Sequence, residues 1–141
     1  ATVLAKRNST DESAMIKYGQ NLGTTFQLVD DALDYSASSI EFGKNLGDDL
    51  AEGKATLPLI YAMKKSSPAE LKLIYTAIKS DGISQIDEIQ AIIESTGALQ
   101  YTADCARKAA NSAIAAISSL PDSIYKQALI AIAEFSVHRR S

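Results

Sequence analysis

The chain has 141 residues, enough for one domain with a sizeable core. Its apolar content of 46% excludes intrinsic disorder, and its net charge of −3 excludes a basic nucleic-acid footprint. No run of about 18 apolar residues occurs, so no segment reads as a membrane-spanning helix. A single cysteine, Cys105, cannot form an internal disulfide. That fits a reducing, cytoplasmic setting, in which Cys105 packs as a small hydrophobe.

Helix formers dominate, and three prolines and seven glycines punctuate the chain. The pattern predicts an all-α fold in which residues 1–141 form a single helical region. Residues 1–7 read as the tail of a helix, without an initiator Met or a signal peptide, as expected for a piece of a longer protein. Asn8-Ser-Thr-Asp-Glu reads as a cap region, with Ser9 or Thr10 as N-cap and Asp11 and Glu12 in the first turn. A long helix then runs to about Tyr35. Ala14, Tyr18, Leu22, Thr25, Val29 and Leu33 advance by three or four, as a buried stripe should. Gly19 and Gly23, four apart, could let another helix approach closely.

Tyr35 to Lys54 reads as irregular, an unusual length for a loop in a compact domain, and its expected state without ligand is mobile. Thr56-Leu57-Pro58 opens a helix with Thr56 as the expected cap, and that helix ends near Lys65. Ser67-Pro68-Ala69-Glu70 reads as a capping box, and its helix ends at Asp81-Gly82. Ser84 to Ser95 is a further helix, stopped by Gly97. Ala98 to Ser119 is another. Pro121-Asp122 begins the last, which reaches about Val137. Tyr61, Tyr75, Tyr101 and Tyr125 lie on helical stripes and read as packing residues.

The chemistry concentrates in Phe26-Gln27-Leu28-Val29-Asp30-Asp31-Ala32-Leu33-Asp34-Tyr35. On a helix, Asp30 and Asp34 share a face, and Asp31 and Asp34 lie three apart. No Lys, Arg or His occurs between Lys17 and Lys44 to balance them. A solvated acidic face is the plainer account of an arbitrary DDxxD. Here Phe26, Leu28, Val29, Leu33 and Tyr35 surround the acids with apolar bulk, and buried carboxylates need a positive partner. Hard oxygen ligands at this spacing suit Mg²⁺, which keeps several waters and bridges to substrate phosphates. The following stretch, Gly43-Lys44-Asn45-Leu46-Gly47-Asp48-Asp49-Leu50-Ala51-Glu52-Gly53-Lys54, adds two lysines, glycines beside each, and two more acids. Glycines permit close approach of backbone to a ligand, and lysines supply point charges for phosphate.

Together, FQLVDDALDY and GKNLGDDLAEGKATLPL strongly resemble the second aspartate-rich region of trans-prenyl diphosphate synthases, in particular the long-chain, octaprenyl-like polyprenyl synthases. The resemblance extends through the C-terminal helices to Phe135-Ser-Val-His-Arg-Arg-Ser. It implies the C-terminal half of an all-α isoprenoid-synthase bundle, whose two facing aspartate-rich motifs hold three Mg²⁺ on an allylic diphosphate. Asp30 and Asp31 match the leading metal ligands. Asp34 matches the third acid, acting through water, and Asp49 matches an acid that supports the same cluster. Lys44 and Lys54 match the lysines that bind the allylic diphosphate. Gln27 matches a glutamine facing the reacting end of the substrate. By the resemblance Asp30, Asp31, Lys44 and Gln27 form the catalytic set.

The implied reaction is the condensation of isopentenyl diphosphate with an allylic prenyl diphosphate. Its product is a long-chain polyprenyl diphosphate of the kind that forms a ubiquinone side chain, and the implied complete enzyme is a homodimer. His138, Arg139 and Arg140 read as cations placed well after a helix C-terminus; in the family such residues approach the isopentenyl diphosphate. The first aspartate-rich motif is absent from this sequence, and so are the N-terminal sites for isopentenyl diphosphate. These 141 residues are therefore expected not to catalyse alone and to expose apolar faces prone to association. A non-catalytic subunit of a heteromeric synthase is the alternative.

Overall fold

The side chain of Asn8 starts the first helix. Its Oδ1 accepts the backbone N–H of Asp11 at 2.8 Å, and its carbonyl accepts that of Glu12 at 3.1 Å. The cap is therefore Asn8; Ser9 and Thr10, the expected caps, already lie inside the helix. The structure is a computed structural model that describes residues 8–36, 47–80 and 83–138.

Among the described residues every regular element is helical, in agreement with the sequence. They are α1 (Ser9–Leu33), α2 (Asp48–Ala51), α3 (Leu57–Lys65), α4 (Pro68–Lys79), a 3₁₀ turn (Ile83–Gln85), α5 (Ile86–Ser95), α6 (Ala98–Ala116) and α7 (Ile124–His138). No helix among them is long and apolar enough to cross a membrane. Several ends differ from expectation. Asp34 and Tyr35 lie in a turn beyond α1, and part of the expected irregular stretch is the short helix α2. The helix expected at Ser84 begins with the 3₁₀ turn. The last helix starts at Ile124, because Ser123 caps it by accepting the Lys126 N–H at 3.2 Å, leaving Pro121 and Asp122 outside. The expected capping box at Ser67 is present: Ser67 N–H donates to Glu70 Oε2 at 2.7 Å and Glu70 N–H to Ser67 Oγ at 3.4 Å.

The residues cluster into two compact units, and α1 and α6 contribute to both. The first takes residues 1–29 and 105–140. Its core is Tyr18, Ala113, Ile117 and Ala133, flanked by Met15, Leu22, Ile114, Leu129 and Ile130. Tyr18 Oη donates to the Leu129 carbonyl at 2.8 Å, so the phenol ties α1 to α7. Lys126 Nζ donates to the carbonyls of Ser118 and Leu120 at 2.9 and 2.8 Å, closing the frayed end of α6 with a cation as its dipole favours. The outer face of α7 leaves Ile124, Tyr125, Ile132 and Phe135 exposed.

The second unit takes residues 30–104. Tyr35, Leu50, Leu59, Ala62, Ile74, Ala77, Ile89, Ile92, Ile93 and Ala98 form its core. Each fully buried Leu or Ile stabilises by about 1.5–3 kcal/mol. The helices α3, α4 and α5 each pack on the other two, and α2 packs on α4.

Two expectations about packing are met in part or not at all among the described residues. Nothing among them lies within 4 Å of a Cβ built at Gly19 or Gly23, so no described helix approaches there. Of the four tyrosines expected to pack, only Tyr61 lies against a core. Tyr75, Tyr101 and Tyr125 are exposed, and the partly buried Tyr61 stacks on Tyr101 with ring centroids 4.0 Å apart.

Candidate functional site

The end of α1 delivers the acids to the second unit. Asp31 is 6% exposed and Asp34 8%, whereas Asp30 is exposed on the outer face. The helix breaks just where the acids gather. Asp34 N–H still donates to the Asp30 carbonyl at 3.1 Å, but Asp34 has left the regular helix. It accepts instead from the next described segment: Gly47 N–H donates to its carbonyl at 3.0 Å and Asp49 N–H to its Oδ2 at 3.2 Å. Asp34 thus satisfies a free N–H in the first turn of α2 and holds that short helix against the end of α1.

The turn depends on Gly47, which precedes α2 with φ of +77°. The backbone there favours glycine, and a Cβ would also press on Ile86 Cδ1, the far end of a side chain that would have to turn away.

Asp49 faces Lys54. Their Nζ···Oδ1 distance is 3.2 Å, and the same ammonium sits 2.6 Å from Glu52 Oε2. Glu52, then Asp49, hold the exposed Lys54 ammonium above its ordinary pKa, so it is a full cation at neutral pH. The expected metal-cluster acid and the expected diphosphate lysine are thus partners here. Gly53 (φ +72°) turns the chain so that Lys54 N–H also donates to the Asp49 carbonyl at 2.8 Å.

Of the sequence-derived site residues, the second unit joins Asp34, Asp49 and Lys54 in one turn, while Asp31 is buried on the last turn of α1 and Asp30 is exposed there. Gln27 is exposed on α1 and belongs to the first unit. Lys44 lies outside the described residues, as does most of the stretch expected to be mobile. His138 ends α7, while Arg139 and Arg140 lie outside the description. Among the described residues no group of three or more His, Cys, Asp or Glu side chains could by itself hold an ion.

Sequence reasoning missed two contributors. Tyr35, counted in the sequence only as apolar bulk around the acids, is fully buried in the core, where burial and the charges of Asp34, Asp49 and Asp31 push its phenol well above the ordinary range. Thr56 stands at the N-cap of α3, yet its side chain makes no capping bond, contrary to expectation. The only signals were a Tyr directly after DDxxD and a Thr before Leu-Pro, neither of which predicts a hydroxyl turned inward.

The donor set is all oxygen. A hard divalent cation needs only one or two protein carboxylates when phosphate oxygens and water complete its shell, so these acids fit Mg²⁺.

Residues 1–96 match the Polyprenyl synthetase family model. An octaprenyl diphosphate synthase of Haemophilus influenzae is 48% identical over 140 residues, covering 99% of this chain and 43% of the relative. That of Escherichia coli is 41% identical over 138 residues, covering 97% and 43%. A polyprenyl synthase from Caulobacter crescentus, crystallised with calcium and isoprenyl diphosphate, superposes with a TM-score of 0.88 at 40% identity, covering 99% of this chain and 43% of that one. The chain therefore spans less than half the length of these relatives. Since the matched residues take in all of α1, the acids at its end and the turn to Lys54, the chain belongs to the polyprenyl synthetase family.

Proposed function

We propose that this chain supplies the second aspartate-rich region of a long-chain, octaprenyl-like trans-polyprenyl diphosphate synthase. The reaction is the addition of isopentenyl diphosphate to an allylic prenyl diphosphate. The observation that carries this reading is the joined turn in which Asp34 holds Asp49 and Asp49 pairs with Lys54, directly after a helix that buries Asp31 in its last turn.

In this reading Asp30, Asp31 and Asp34 hold Mg²⁺, with Asp49 in support, and Lys44 and Lys54 bind the allylic diphosphate. Bound Mg²⁺ would neutralise charge developing on the leaving diphosphate. The residues of this chain do the rest. Lys54 is already held as a cation beside Asp49, and swings its ammonium from carboxylate to phosphate oxygen when a polyanion arrives. Asp34 keeps Asp49 within reach of the same ligand through the α2 backbone. Gln27 orients the reacting end of the allylic chain. Fixed charges aimed at a developing anion supply a large share of catalysis in such sites. The complete metal cage requires acids from outside these residues, so this chain alone is inactive in this reading; the resemblance adds that the complete enzyme is a homodimer.

The test is a chimera in which residues 1–141 replace the matching segment of the Escherichia coli relative. Transfer of labelled isopentenyl diphosphate with Mg²⁺ is the expected result. Asp31→Ala and Lys54→Ala should lower it by on the order of a hundredfold or more, as for loss of a charge-stabilising group. A folded chimera that transfers nothing to any allylic primer, or that is indifferent to Asp31→Ala, overturns the reading.

A further inference from the structure

Two hydroxyl groups of the second unit are buried with no bond made. Tyr35 is fully buried, and its Oη has no hydrogen-bond partner. Thr56 Oγ1 is likewise shielded from water and unbonded. A hydroxyl withdrawn from water without a replacement partner weakens a fold, and native structures keep few of them.

Both groups had cheaper alternatives. Thr56 sits at the N-cap of α3 with extended backbone (φ −80°, ψ 170°), where a threonine hydroxyl ordinarily accepts a helical N–H, yet it makes no such bond. The ring of Tyr35 could fill its core position as a phenylalanine. The two hydroxyls are neighbours that face each other without a hydrogen bond of ordinary geometry between them. Tyr35 directly follows Asp34, whose carboxylate holds the Asp49 N–H. An unused donor thus lies at the acidic turn itself.

We propose that Tyr35, assisted by Thr56, is a positioning residue of the acidic turn, its hydroxyl held in reserve for an oxygen that arrives with the ligand. That oxygen belongs to a water of the hydrated divalent cation or to the diphosphate. The proposal rests on the reading of Asp31, Asp34 and Asp49 as a cation and diphosphate site. Ligand binding then completes a hydrogen bond that the empty chain leaves open, and the core tolerates the hydroxyl for that purpose.

The test is calorimetric titration of the chimera that carries residues 1–141 with Mg²⁺ alone and with Mg²⁺ plus inorganic pyrophosphate, beside thermal unfolding of each variant. Tyr35→Phe should weaken binding about fivefold, the size of one hydrogen bond, while its melting temperature holds or rises. Thr56→Val should act in the same direction and less strongly. Tyr61→Phe, in the stacked pair elsewhere in the unit, should change nothing. A loss already present with Mg²⁺ alone assigns the contact to a water of the cation; a loss only with pyrophosphate assigns it to a diphosphate oxygen. Tyr35→Phe binding as tightly as the parent overturns the proposal, and so does an affinity loss that merely follows a lower melting temperature. If the parent fails to bind, or binds no better than Asp31→Asn, the reading of the acids itself falls, and this inference with it.

Discussion

The carboxylate of Asp34 accepts the backbone N–H of Asp49 at 3.2 Å, across fourteen intervening residues. One acid of the motif therefore serves as a structural cap as well as a proposed ligand, and the two roles separate by mutation. Asp34→Ala should destabilise the chain by about 1 kcal/mol, as for loss of a helix cap. Asp34→Asn keeps an acceptor and should recover most of that loss, yet still bind Mg²⁺ and pyrophosphate more weakly for want of charge. Urea unfolding beside calorimetry checks both; equal destabilisation by Asn and Ala would show that charge, not capping, matters there.

The phenol of Tyr18 tests the first unit. Tyr18→Phe removes the bond to the Leu129 carbonyl and leaves that carbonyl short of a partner. The expected cost is about 1–2 kcal/mol, read as a lower urea midpoint with an unchanged slope. A cost under about 0.5 kcal/mol would match an ordinary surface change and show that water replaces the bond.

The start of α1 offers a sharp contrast between neighbours. Asn8→Ala should cost about 1 kcal/mol, because it removes the acceptor for the Asp11 N–H. Ser9→Ala, one residue on, should stay within about 0.5 kcal/mol. Thermal melts of the two variants suffice, and a reversed order would move the cap to Ser9.

The capping box of α4 gives a pH dependence. The Ser67 side chain and then its backbone N–H hold the Glu70 carboxyl below its ordinary pKa. A carboxyl depressed in the folded state stabilises above its unfolded pKa, and that contribution fades as the pH falls through the folded value. Stability should therefore drop on acidification below the ordinary glutamate range, and Glu70→Gln should flatten that part of the profile. Melting temperature measured from neutral to acidic pH for both chains provides the check.

The helices were legible because local signals and burial agree. Ser67-Pro68-Ala69-Glu70 formed the box its spacing demands, and the stripe Ala14, Tyr18 and Thr25 is buried. The helix ends were less so, since Asn, Ser and Thr stand side by side at residues 8–10 and only the observed bond selects Asn8. Thr56 misled because capping propensity is local, whereas its hydroxyl answers to the second unit's interior. The acids and Lys54 were visible as a motif. Their mutual arrangement was not, because pairing Asp34 with Asp49 depends on the turn geometry at Gly47, which composition and period do not encode. Gly19 and Gly23 carry the opposite lesson: a close-approach spacing marks an opportunity, and no described residue takes it.

Gly47 also constrains how this region can change. A side chain there meets Ile86 on another element, and the positive φ penalises every L-residue besides. Trimming Ile86 relieves the collision but leaves the backbone penalty, so no single neighbouring substitution rescues the position. The reach of Asp34 to Asp49 thus hangs on one position whose backbone glycine alone adopts without strain, so a stability defect there would not be repaired by making room beside it.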